Sequence, residues 1–149
     1  MARSTTLVPL FLTLVLLAAP DARAELAVWN QEKVTAIADE VSQASQALLG
    51  ALRRQPPRSV GQPGVREFWR LRDEVQAIVS SSRRLHNALS QGAGMEETYP
   101  IYRRLLRTAR RADRDTRRIG LGKPVPEKIG ATADAIRRIR PFYEEDPPL

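Results

Sequence analysis

The sequence predicts an all-α protein: an antiparallel up-down four-helix bundle, its fourth helix short, behind a cleaved signal peptide. Three observations carry that expectation. Apolar residues recur three and four apart along four separate stretches, which is the helical period. Pro- and Gly-rich links divide those stretches, and no alternating strand pattern of useful length occurs between them. Four amphipathic segments on short links bury their apolar stripes most simply by packing against one another.

The chain opens MARSTTLVPLFLTLVLLAAPDARA. A basic start, an apolar run from Leu7 to Ala19 and small residues at Ala22 and Ala24 form the three-part pattern of a secretory signal, with cleavage expected between Ala24 and Glu25. The run is shorter than the roughly 20 residues needed to span a bilayer, and it contains Pro9. The expected location is therefore periplasmic or secreted, with no transmembrane segment in the mature chain. Removing residues 1–24 leaves 22 basic residues against 16 acidic. With no Cys anywhere, neither disulfides nor a lipidated N-terminal Cys is available, and stability has to come from a packed core.

The first helix is expected over about 26–54, on Val34, Ile37, Ala38, Val41, Ala44, Leu48 and Leu52. Three Pro and two Gly between Gln55 and Gly64 break it. The second, about 65–91, carries Phe68, Leu71, Val75, Ile78, Ser82, Leu85 and Leu89, and ends at Gly92-Ala93-Gly94. The third segment begins at Met95 or shortly after, where Glu96 and Glu97 suit a helix amino end. Regular helix is expected over about 98–119, with Thr98 as its candidate cap, because Pro100 suits a first turn better than an interior. The fourth, about 126–140, starts on Pro126 and stops at Pro141; its apolar residues are Ile129, Ala133, Ile136 and Ile139. Residues 25–143 form the domain, and 144–149 read as a disordered acidic, Pro-rich tail.

In an up-down bundle, Trp29, His86, Tyr99, Tyr102, Phe142 and Tyr143 collect at one pole. Leu52, Phe68, Trp69, Ile119 and Ile129 collect at the other. Between the poles lie Ala38, Ala44, Ala109, Ala112 and Ala133, small residues that permit close helix approach or, alternatively, leave a cavity for a ligand. Close packing is the expectation, because protein interiors are normally filled.

Catalytic and metal chemistry find little support. His86 is the only His, and no Glu precedes it by three residues; a half-buried His at a bundle end is the ordinary explanation. Covalent haem attachment needs Cys, and the pair Met95 and His86 lies astride a Gly loop. Neighbouring carboxylates such as Asp39-Glu40 and Asp73-Glu74 diverge by about 100° on a helix and do not converge as an acid/base pair. Gly120-Leu121-Gly122-Lys123 lacks phosphate-loop spacing and follows a helix. Ser80-Ser81-Ser82 has no nucleophile context. No catalytic residue, metal site or cofactor is expected.

The most distinctive stretch is RRLLRTARRADRDTRR, Arg103 to Arg118, in which eight of sixteen residues are Arg. On a helix, Arg103, Arg107, Arg110, Arg114 and Arg117 share one stripe, flanked by Arg104, Arg111 and Arg118. Ile101, Leu105, Ala109, Ala112, Thr116 and Ile119 take the opposite side. The five stripe residues are the candidate anion- or partner-binding site, since Arg forks pair with phosphate and carboxylate. A solvated face moderated by Asp113 and Asp115 is the plain alternative. Arg83, Arg84, Arg137, Arg138 and Arg140 would widen the stripe if the second and fourth helices flanked the third. Export disfavours nucleic acid, and no aromatics are interleaved for base stacking. Anionic lipid, acidic polysaccharide or an acidic protein is the expected partner. The function expected is a non-enzymatic binding module. The alternative is an all-helical enzyme or ligand carrier with an interior pocket for an anionic substrate, haem or an apolar ligand.

Overall fold

The computed structural model describes residues 27–56 and 64–144. The signal-peptide expectation for residues 1–24 falls outside them, as does most of the expected tail. Among the described residues the protein is all-helical, with four α-helices and a closing 3₁₀ turn: α1 (Gln31–Arg53), α2 (Val65–Ser90), α3 (Met95–Thr116), α4 (Val125–Ile139) and the turn Arg140–Phe142. None of these helices is long and apolar enough to cross a membrane.

Local chemistry sets the boundaries, and it corrects three of those expected. α1 begins at Gln31 rather than near Leu26. The Asn30 side chain accepts the Lys33 N–H at 2.8 Å, a capping bond that fixes the start. The preceding chain is held instead by the Ala27 N–H, which donates to the Pro141 carbonyl at 2.8 Å. α3 begins at Met95, before the expected Thr98. Glu97 reaches back to accept the Gly94 N–H at 2.9 Å, so the acidic first turn caps the helix and Pro100 sits inside it. Thr98 is therefore no cap. Its hydroxyl is buried within the helix, bonding to the Gly94 carbonyl at 2.7 Å and lying 2.8 Å from the Tyr143 hydroxyl. At the other end α3 stops at Thr116, where Arg118 and Ile119 turn to i−3 carbonyls; Ile119 stays buried beyond the helix.

α2 ends as its Gly-rich sequence predicts. Gly92 has φ +89°, its N–H bonds Leu89 O and the Ala93 N–H bonds Ala88 O. This is the left-handed helix stop that only Gly adopts without strain. A side chain from α1 completes it. Gln31 donates to the Leu89 and Ala93 carbonyls at 2.8 and 3.1 Å, satisfying acceptors that a helix end leaves open.

Contacts between helices order the layers. The start of α1 meets the end of α2 through Gln31, and the far end of α1 meets α2 through Arg53 and Gln76. Arg70 of α2 reaches Asp115 near the end of α3. Arg138 near the end of α4 pairs with Glu40 of α1, and Gln55 just after α1 bonds Gly122 just before α4. α1 packs between α2 and α4, and α2 packs between α1 and α3, whereas α3 and α4 have no extensive contact with each other. Val34, Val41, Leu48 and Leu52 of α1 and Leu71, Val75, Ile78, Leu85 and Leu89 of α2 form the core, joined by Leu105 of α3 and Ile139 of α4.

One pole is aromatic. The Tyr143 ring meets Trp29 edge-on at 5.5 Å, Tyr99 at 6.4 Å and Tyr102 face to face at 4.4 Å. Phe142 is buried beside them, under the Lys33 ammonium. His86 is half-buried, and its Nε2 lies 3.4 Å from the Ser90 hydroxyl. At the opposite pole Leu52, Phe68 and Ile119 are buried. Trp69 is 41 % exposed, edge-on to Phe68 and covered by the Arg72 guanidinium. Ile129 is half-buried and Ala133 is exposed rather than in a closed middle layer. α4 turns Thr132, Ala135, Ile136 and Ile139 inward instead.

Candidate anion-binding face and groove

All five stripe residues lie exposed, Arg103, Arg107, Arg110 and Arg114 on α3 and Arg117 in the turn that ends it, as do Arg104 and Arg111 on the helix and Arg118 in the same turn. The cause is the helix's own segregation: Tyr102, Leu105 and Ala112 face the core, and the cationic side must then face out. The five are not equivalent. Arg117 is paired with Asp113 at 2.8 Å, one helical turn back. Arg103 lies over the Tyr99 ring and donates to its hydroxyl at 3.3 Å. Arg107, Arg110 and Arg114 make no hydrogen bond or ion pair with another described residue.

The other five Arg do not widen the stripe into one field. α4 lies away from α3, and its cations are matched locally: Arg137 with Asp134 at 2.7 Å, Arg138 with Glu40, and Arg140 with Glu144 at 3.2 Å. Arg83 donates to Gln46 at 2.8 Å. Arg84 alone joins α3, sharing a shallow surface depression with Arg104 and Asp73.

Where α3 and α4 fail to meet, a groove of about 400 Å³ opens. Its floor is Leu48 of α1 with Leu71, Val75 and Ile78 of α2. Ala109, Ala112 and Thr116 form one wall, and Ile129, Thr132, Ala133 and Ile136 form the other. Arg110, Asp113 and Arg114 stand at the mouth. Close packing holds at Ala38, which is buried in the core, but Ala109, Ala112 and Ala133 line an apolar seam, their side chains too short to fill the space between α3 and α4. The groove holds two hydroxyls, and both are occupied. Thr116 donates to Ala112 O at 2.7 Å and Thr132 to Lys128 O at 2.8 Å. Its carboxylate, Asp113, is exposed and engaged by Arg117. Nothing in the groove activates a nucleophile, whereas an apolar floor with guanidinium groups at its edge suits binding.

A second cluster was not anticipated. Arg70, Arg111, Arg114 and Arg118 surround Glu74 and Asp115 in a depression between α2 and α3. Asp115 is buried, with one oxygen 3.7 Å from Arg70. Its Oδ2 and the Glu74 Oε2 are both buried without a hydrogen-bond partner. Burial, reinforced by the charge of Asp115, raises the Glu74 pKa, while Arg111, Arg70 and Arg114 oppose the rise. The available signal was the spacing: Arg70 and Glu74 are one turn apart, and Asp115 falls on the α2-facing flank of the Arg stripe. Among the described residues no group of three or more His, Cys, Asp or Glu is placed to hold a metal ion.

No protein-family model matches the chain, and no curated protein or solved structure matches it at a meaningful level of similarity.

Proposed function

We propose that the protein is an exported, non-enzymatic binding module. In this reading the signal peptide is cleaved after Ala24, the mature chain folds as an up-down bundle, and α3 presents its Arg face to an anionic lipid, an acidic polysaccharide or an acidic protein surface. One observation carries the reading. Five Arg lie exposed along one side of α3 and the turn that ends it, and Arg107 and Arg110 among them have no carboxylate partner among the described residues. Unpaired guanidinium groups in a row produce a field that attracts anions over a Debye length, about 10 Å at 0.1 M salt.

The test is retention of the purified protein on heparin and on anionic vesicles across a salt gradient. Retention that falls as salt rises, and drops when Arg103, Arg107, Arg110, Arg114 and Arg117 are all changed to Gln, supports the module. Retention indifferent to those changes returns the stripe to a solvated face.

The groove favours a second reading, a ligand carrier, because it provides apolar surface that no side chain of the described residues fills. An enzyme clamping an anionic substrate within the bundle gains nothing from the same geometry, since the stripe Arg point outward and the groove hydroxyls are committed to backbone carbonyls.

A further inference from the structure

We propose that the α3–α4 groove is a binding site for a single-chain aliphatic carboxylate, its tail along the apolar floor and its head between Arg110 and Arg114. The inference rests on the Arg face being an anion-binding surface, and it names the ligand class of one part of that face.

The groove asks for two chemistries at once. Leu48, Leu71, Val75 and Ile78 offer an aliphatic floor with no aromatic side chain among its lining residues, so it suits a flexible chain better than a stacked ring. At the mouth Arg110 and Arg114 supply two positive charges and Asp113 one negative charge. Asp113 is already engaged by Arg117, so the charge left to meet an anion at the mouth is positive. Arg110 and Arg114 are four residues apart on one helix, so their guanidinium groups are neighbours. Arg110 has no ion pair with a described residue, whereas Arg114 also stands beside Glu74 and Asp115, and the two together offer a carboxylate a fork.

Dimensions agree with a chain of modest length. The α3 wall runs from Ala109 to Thr116, which is about 10 Å of helix axis and room for roughly eight methylenes in extended form. Burying such a chain removes apolar surface from water on the ligand and on the wall residues Ala109, Ile129 and Ala133, which are half-buried or exposed, the main driving force for a site of this kind.

The experiment is calorimetric titration of the purified protein with decanoate. Decyltrimethylammonium and a decyl glucoside serve as cationic and neutral controls of the same chain length. Decanoate is expected to bind at one site, at least about tenfold tighter than either control, and to weaken by about tenfold when Arg110 and Arg114 are both changed to Gln. Ala133→Leu, which fills the seam from an exposed wall position, is expected to abolish binding. Ala109→Leu repeats that test from the opposite wall should the first variant fail to fold, as circular dichroism would reveal. Decanoate binding unchanged by either filled groove, or no tighter than binding of the cationic control, overturns the proposal. The two readings separate cleanly. Salt-dependent heparin retention that responds to the five-Arg variant, together with decanoate binding indifferent to Ala133→Leu, keeps the Arg face and removes the groove ligand.

Discussion

Tyr143 lies flat on Tyr102, with ring centroids 4.4 Å apart and planes within 8°. This contact ties the last turn of the chain to α3, although α4 itself stands off from α3. Tyr143 also meets Trp29 edge-on and bonds the buried Thr98 hydroxyl, so one side chain gathers three parts of the fold. Burial pushes its phenol above the ordinary value, which the Thr98 hydrogen bond partly offsets. Replacing Tyr143 by Ala is expected to cost about 3–5 kcal/mol, as for other buried aromatics. Tyr143→Phe keeps the ring and is expected to cost only about 1 kcal/mol for the lost hydroxyl. Urea unfolding of both variants checks the ratio; equal losses would mean that the hydroxyl, and not the stack, fastens the end of the chain.

A buried hydroxyl pair gives a second test. Ser45 of α1 and Ser82 of α2 lie 3.1 Å apart, and each also sits 3.0 Å from a carbonyl of its own helix, Ser42 O and Val79 O. Two protons serve three contacts, so one contact is always without its hydrogen. Each single change to Ala is expected to cost at most about 1 kcal/mol, because the remaining hydroxyl keeps its backbone acceptor. The double change is expected to cost less than the sum of the two. A double-mutant cycle measured by denaturant unfolding decides it, and strict additivity would show that the two hydroxyls act independently.

The fold was legible in the sequence because periodicity reports which side of a helix is buried. Val34, Val41, Leu48, Leu71, Val75, Leu85 and Leu105 were expected inside and are buried. The aromatic pole was also legible, since short links bring Trp29, Tyr99, Tyr102 and Tyr143 to one end. What periodicity does not report is the distance between two helices. Ala109, Ala112 and Ala133 are compatible with close packing or with a gap, and the choice depends on how α4 sits on α1. Hence the groove was only an alternative in the sequence. The third segment does start at Met95, but Pro100 suits a first turn and so points to regular helix only from near Thr98, whereas the Glu97 bond to Gly94 begins it one turn earlier. The Glu74–Asp115 cluster was missed because its members come from two helices.

That cluster predicts a pH dependence. The raised pKa of Glu74, caused first by burial and then by Asp115, means that the folded state binds this proton more tightly than the unfolded chain does. The stabilisation is therefore complete below the ordinary Glu value of 4.5 and is lost as pH rises through the higher folded value. Glu74→Gln, neutral at every pH, lacks this dependence. Thermal melts of the two proteins from pH 4 upward should show the variant gaining on the parent as the pH increases, then a constant difference. Parallel curves throughout would mean that the Arg groups around Glu74 fully offset its burial.

Asp113 sets the balance of charge on α3. Its pair with Arg117 is exposed on both sides, 56 % for the carboxylate and 77 % for the guanidinium, and such pairs contribute at most a few tenths of a kcal/mol to stability on a helix. Asp113→Asn should therefore leave the melting temperature nearly unchanged. It should nevertheless strengthen salt-dependent retention on heparin, because it removes the negative charge beside Arg110 and Arg114 and releases Arg117. Arg107→Gln should weaken retention more than Arg117→Gln, since Arg107 has no carboxylate partner among the described residues whereas Arg117 is already half-neutralised by Asp113. The order of elution salt, Asp113→Asn above the parent, then Arg117→Gln, then Arg107→Gln, is the measurement. An order set only by net charge, with the two Arg variants eluting together, would mean that the matrix senses the whole molecule and not this face of α3.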